Sequence, residues 1–279
     1  MMKMSPQAAV RAQARDALRH RYAPAILGFT VLVLLYTVAD GVSACFMFLF
    51  MSFISDEAVI TALSVVVVWP VMIVISVLLS PLINGYIRMF YRNALTDRMD
   101  PADLYYYMTR GRYARTLRLN LSFLLRMLLP AVLFFLPVTI YEFICQSYAA
   151  DFCGSVLYVD FFFILCVLSV ILVTLYSLKY FLVFSLYTEN ESLSNNSLFT
   201  MSRLIMRAHG TSAAKLIFSY TPWMLLCLTV LPMFYIVPYM TQGLCIGAKW
   251  MSRTFDNWTD VQPGLREVMY ESITMHDRV

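Results

Sequence analysis

The sequence predicts an all-α fold: a polytopic membrane bundle of about six transmembrane helices with both termini cytoplasmic. Three observations lead there. The 279 residues are 60% hydrophobic and only 14% charged, where a soluble domain carries about 25% charged residues. A chain this size would lack the polar surface to stay in water. All 21 Lys and Arg residues fall in four patches, with five in 1–21, eight in 88–126, four in 179–215 and four in 249–279. The runs 22–87, 127–178 and 216–248 hold no basic residue, yet they contain Asp40, Asp56, Glu57, Glu142, Asp151 and Asp160. They are depleted of cations rather than of charge. The positive-inside rule produces this asymmetry, because Lys and Arg hold loops in the cytoplasm while acidic residues hardly affect topology. A multi-pass protein of the bacterial cytoplasmic membrane is the expectation.

Residues 1–21 read as a basic cytoplasmic helix, capped by Ser5 with Pro6 in its first turn. Arg11, Arg15 and Arg19 recur every four residues on one stripe, so the helix is either solvated or in contact with headgroups. The membrane domain covers 22–250. Its first span, 22–40, is about 18 residues, which at roughly 1.5 Å each just crosses a core of roughly 30 Å. The apolar stretch from Val42 to Ile54 continues it outward, and Asp56 and Glu57 mark the outer turn. The second span, 61–87, contains Pro70 and Pro81, both expected to kink it. The inner segment that follows carries Asp97, Asp100 and Asp103 at equal spacing, open to a divalent-metal reading or to a helix cap. In the cap reading Asp100 is the N-cap, Pro101 follows at the first helical position, and Asp103 sits near the positive helix end. Spans three and four are expected at 119–141, with Pro130 and Pro137 on nearly one face, and at 155–178.

The last apolar run, 213–248, would leave Lys249 and Arg253 outside if it crossed once. Two spans, 213–231 and 234–250, broken around Pro232 to Pro238, return that patch to the cytoplasm. A polar cytoplasmic tail, 251–279, completes the chain. Cys145 and Cys153 both fall in the outer loop between spans three and four, where a disulfide and buried free thiols are both open. The sequons at Asn120, Asn190, Asn195 and Asn257 lie on or beside the inner side, so they do not imply glycosylation.

No phosphate loop, zinc-protease motif, nucleophile elbow or metal-spaced Cys/His cluster is present in the sequence, so no cofactor, metal or catalytic residue is expected. Basic residues interleaved with apolar spans do not form one folded face for nucleic acid. Gly243-x-x-x-Gly247 allows close helix approach, within the monomer or in a homodimer. Arg126 and Lys179 are the cations deepest in apolar sequence, where long side chains snorkel to the headgroups. Together with Arg203, Arg207 and His209 they could instead form a pocket for an anionic lipid or a phosphate-bearing ligand.

Several short motifs carry a family resemblance: Arg11, Ala14-Arg15, Leu18 and Tyr22 at the start, and Pro81 with Gly85-Tyr86 closing the second span. Asp103-Leu104 opens the inner helix, and Ser202-Arg203-x-x-Met206-x-x-His209 is followed by Trp223 and Pro238-Tyr239. On these residues the chain, from about Arg11 to Phe255, resembles the bacterial integral membrane family catalogued as domain of unknown function 975, related to glycerophosphodiesterase-type membrane domains. The resemblance implies six helices and no established activity.

The function expected from charge placement is non-enzymatic: an integral membrane protein engaging anionic lipid headgroups, or a membrane protein partner, through its basic cytoplasmic face. The rivals are a permease or transporter component, suggested by proline-broken spans, and a membrane-embedded lipid enzyme using the Asp97, Asp100 and Asp103 carboxylates.

Overall fold

The computed structural model describes residues 6–53, 67, 69–148, 156–227 and 229–261. Among these the chain is helical, with no strand. The helices are α1 (Pro6–Leu18), α2 (Tyr22–Phe53), α3 (Trp69–Thr96), α4 (Tyr113–Tyr148), α5 (Val156–Ser177), α6 (Val183–Glu189), α7 (Asn195–Phe218), α8 (Thr221–Leu226) and α9 (Val230–Val261). Short 3-10 helices cover Pro101–Met108 and Leu178–Tyr180. Ser5, Asp56, Glu57, Asp151, Cys153 and the tail from 262 lie outside the described residues. The question of a Cys145–Cys153 bridge lies there too.

Among the described residues, four stretches are long and apolar enough to cross a membrane: Tyr22–Cys45, Pro70–Thr96, Tyr113–Cys145 and Tyr158–Glu189. They coincide with the first four expected spans. Their apolar side chains face outward to an extent no aqueous surface tolerates, with Leu34 62%, Leu129 78% and Phe163 66% exposed. Hydrocarbon is the medium that covers such a surface. Pro81, Pro130 and Pro137 lie inside their helices. Pro70, also expected to kink its span, is the second described residue of α3, and most of the residues just before it lie outside the described ones.

The well-packed part of the molecule lies at one end, the end that carries the basic residues. Leu18, Phe29, Leu82, Tyr86, Phe90, Tyr91, Leu104, Leu119, Leu182, Tyr187, Leu198, Phe199 and Tyr220 form one buried cluster there. Away from it, α4 and α5 pack mainly on each other, joined by the Ser169 hydroxyl donating to the Phe134 carbonyl at 2.7 Å and by Tyr141 stacked on Tyr158. At Gly85 a Cβ would run into the Leu104 carbonyl, so α3 approaches the 3-10 helix more closely than any side chain would permit. The cap reading of that helix holds: Asp100 accepts from the Ala102 amide at 2.9 Å, and Pro101 starts the helix.

α1 belongs to this core. Ala14 and Leu18 are fully buried, and α1 packs along α9, with the Tyr239 hydroxyl donating to the Arg11 carbonyl. The basic stripe is therefore the outer face of a docked helix. The 251 boundary expected for the tail also falls inside a helix, since α9 runs on to Val261.

The last apolar run differs most from expectation. The interval 213–231 is not one helix, since α7 ends at Phe218, α8 spans six residues and α9 begins at Val230. The expected break around Pro232 to Pro238 falls inside α9, which stays continuous through Pro238. Packing of α9 against α1, α2 and α3 outweighs the roughly 3 kcal/mol a mid-helix proline costs. The run is interrupted twice, where Pro222 opens α8 and between Leu226 and Val230, just ahead of Pro232 in the first turn of α9. α7 and α9 then run antiparallel: His209 meets Trp250, Leu216 faces Gly247, and Tyr220 meets Tyr239. Gly243 faces the Tyr220 hydroxyl, so both glycines admit α7 within the monomer. Tyr235 of α9 stacks on Tyr22, the first residue of α2, at 4.6 Å between ring centres. α9 thus passes the basic end of the bundle early in its course. The tip of this hairpin is apolar and exposed, with Trp223, Leu225 and Leu231 prominent.

Candidate functional site

Two cationic groups occupy the basic end, and they are built differently. In the first, the Arg88 guanidinium pairs with Asp103 at 3.3 Å and with Glu191 at 3.0 Å. Arg92 reaches the same Asp103 oxygen at 2.8 Å, and Arg112 reaches Glu191 at 3.5 Å. Arg88 and Arg112 both lie over the Tyr106 ring, at 3.5 and 4.1 Å. Asp103 is nearly buried, so its charge is held by two guanidinium groups in a low-dielectric setting. This network ties α3, the 3-10 helix, and the α6–α7 connection together. It also accounts for the three aspartates: Asp100 caps, Asp103 pairs with Arg88 and Arg92, and Asp97 lies 3.7 Å from Arg21. Among the described residues no group of His, Cys, Asp and Glu side chains is arranged to hold a metal ion.

Polar side chains also lock α2, α3 and α9. Arg21 donates to the Asn93 side-chain oxygen at 2.7 Å, and Asn93 donates in turn to Gln242 at 3.0 Å. Lys249 donates to the Ala94 carbonyl. Burial, helped by Arg253, holds the Lys249 ammonium below its usual range, with Asp97 opposing. Between α3 and α4, Asn84 donates to Asn120, which donates to Ser80. Asn84 precedes Arg88 by one turn, about 6 Å, so these amides join two helices near the basic end rather than form a polar site at mid-membrane.

The second cationic group is open. Lys179 sits on the Leu178–Tyr180 turn, and the Ser202 hydroxyl of α7 donates to its backbone carbonyl at 3.0 Å. That bond fixes α7 beside the turn. Arg203 and Arg207, four residues apart, lie on one face of α7. With Lys179 they line a cavity of about 590 Å³ whose walls are otherwise Leu175, Leu178, Met206, Gly210, Thr211 and Ala214. Arg203 also borders an adjoining cavity of about 240 Å³ that holds Arg126 together with Tyr176, Tyr180, Asn196, Phe199 and Thr200. Arg126 is half-buried at the edge of this cavity. It donates to Asn196 at 2.8 Å, lies 3.8 Å above the Phe199 ring, and leaves one buried terminal nitrogen without a hydrogen-bond partner. The Lys179 ammonium lies 4.2 Å from the Tyr176 ring centre.

Of the five residues grouped by sequence, Arg126, Lys179, Arg203 and Arg207 come together. His209 does not: it packs against Trp250 and lines neither cavity. Two residues beyond Arg207 is about 200° round a helix, so it points the other way. Among the described residues, ion pairs involve Arg21, Arg88, Arg92 and Arg112, and none involves these four cations. Neither cavity is lined by a carboxylate, thiol or imidazole. The arrangement offers guanidinium forks and an ammonium to an anion, with apolar walls beside them. Sequence reasoning missed the Asp103–Arg88–Glu191 network. The Arg88 and Arg92 spacing hints at a shared partner, but Glu191 lies a hundred and three residues from Arg88.

Compared with protein-family models, with curated proteins and with solved structures, the chain matches none.

Proposed function

We propose that this chain is a non-enzymatic, multi-pass protein of the bacterial cytoplasmic membrane that binds the phosphate headgroup of an anionic lipid through Arg126, Lys179, Arg203 and Arg207. The observation that carries the reading is the absence, among the described residues, of any carboxylate paired with these four cations, in contrast with a network in which Arg88, Arg92 and Arg112 are all paired. Cations left unneutralised beside apolar walls favour an incoming anion that brings its own hydrocarbon. Each contributes about 1 kcal/mol near an anionic surface.

The topology that accompanies this reading places both termini on the cytoplasmic side. The six expected crossings become four, with α7, α8 and α9 as a hairpin that enters and leaves on the inner side. Both arrangements are even-numbered, so the basic patches stay inside. The proposal draws on charge and geometry; the family resemblance adds only the expectation of a helical membrane domain.

The test is binding of fluorescent phosphatidylglycerol and phosphatidylcholine to the detergent-solubilised protein, wild type against the triple variant K179Q/R203Q/R207Q. Three neutralised charges correspond to roughly 3 kcal/mol, so phosphatidylglycerol affinity should fall about a hundredfold with phosphatidylcholine unaffected. An unchanged preference for the anionic lipid in the triple variant would end the proposal.

A further inference from the structure

We infer that the cationic pocket is the entrance of a longer site, and that the protein holds one lipid as an individual molecule, its phosphate at Lys179, Arg203 and Arg207 and a hydrocarbon chain inside the helical bundle. The inference rests on the headgroup reading above and adds the chain. A second cavity of about 490 Å³ lies among α2, α3, α4, the end of α5, α6, α7 and α9, and none of its lining residues carries a charge. Its volume falls within the roughly 300–1,000 Å³ of ordinary ligand sites. Leu178 is a wall of both this cavity and the cationic one. α7 also runs from one to the other, lining the cationic pocket at Ala214 and the apolar cavity at Ile217, a step of about 4.5 Å along the helix.

The occupant follows from the surroundings. Its walls are mostly aliphatic and aromatic, Phe29, Phe123, Val237 and Leu244 among them, with hydroxyls only at Tyr86, Ser177, Tyr180, Ser185 and Thr241, so most of the surface offers water none of the two to four polar partners it needs. All four apolar membrane segments contribute to the walls of the cavity, so hydrocarbon chains are the molecules at hand. Ile83, on its wall, is 40% exposed on α3, leaving the cavity open toward the side where lipid lies. A chain moving from the bilayer into such a cavity exchanges one apolar setting for another, so selectivity is left to the cations. The chemistry recognised is an amphiphile with a phosphate head and a long chain, which a diacyl phospholipid and a polyprenyl phosphate share.

The experiment is native mass spectrometry of the purified protein incubated separately with long-chain phosphatidylglycerol, with its short-chain dihexanoyl analogue, and with a polyprenyl phosphate. Two variants narrow the cavity from different helices, V237F and I83F, and K179Q/R203Q/R207Q serves as the headgroup control. Wild type should hold one long-chain molecule and bind the dihexanoyl analogue at least about tenfold more weakly. The two long-chain probes, compared with each other, identify which source fits. V237F and I83F should each lose the bound molecule whatever its headgroup, while the charge variant keeps long-chain lipid but loses the anionic preference. Equal binding of dihexanoyl and long-chain lipid by wild type overturns the inference, as does wild-type occupancy in both narrowed variants. An unaltered preference in the charge variant overturns the headgroup reading instead.

Discussion

The two cationic groups at the basic end contain the same residue types and differ in what neutralises them. Arg88, Arg92 and Arg112 close on Asp103 and Glu191, while Arg126, Lys179, Arg203 and Arg207 close on no carboxylate among the described residues. A guanidinium with an internal partner fixes helices, and one without can fix a ligand. The position of the counter-charge, not the density of basic residues, separates scaffold from site.

The comparison is broken most severely by removing the shared carboxylate. Asp103→Ala would leave Arg88, only 12% exposed, with Glu191 alone, and breaking a buried pair costs roughly 3–5 kcal/mol. Thermal unfolding in detergent should show a drop in Tm, whereas K179Q/R203Q/R207Q should leave Tm within about a degree of wild type, since the groups it removes form no ion pair. Next in size is Gly243→Val, which forces a side chain into the Tyr220 hydroxyl. Overpacking of this kind costs typically 1–3 kcal/mol and should loosen the α7–α9 hairpin, measured as faster proteolysis between α7 and α9. A smaller effect is expected at Arg126→Gln. It removes the contact over Phe199, and a desolvated cation–π pair is worth about 2 kcal/mol or less. Affinity for phosphatidylglycerol should fall by less than the triple variant. The smallest is His209→Ala, which should leave lipid preference unchanged, because its ring lies against Trp250.

Much of this architecture was legible in residue order. Long cation-free runs located the four membrane-length apolar helices among the described residues, and Asp100-Pro101 located the 3-10 helix, because both signals are local. The hairpin was not. An apolar run reports that a segment avoids water but not where it bends, so 213–248 read as two helices, where the described residues form three, ending at Phe218, spanning Thr221–Leu226 and starting again at Val230. The breaks came at the start of α8, by Pro222, and between Leu226 and Val230, whereas Pro238 was absorbed by the packing of α9. At the site, grouping by proximity in sequence placed His209 with Arg203 and Arg207. Helical phase separates them, and the four-residue spacing of the two arginines was the better guide. The Asp103–Arg88–Glu191 network lay beyond reach because its members meet only after α3 and the α6–α7 connection are packed side by side.

The most direct measurement sets the two regions against each other: selectivity for phosphatidylglycerol over phosphatidylcholine in K179Q/R203Q/R207Q and in R92Q/R112Q, measured side by side with wild type. The account predicts that selectivity disappears in the first and survives in the second, even where the second is less stable. Loss of selectivity in both, or in neither, would contradict it.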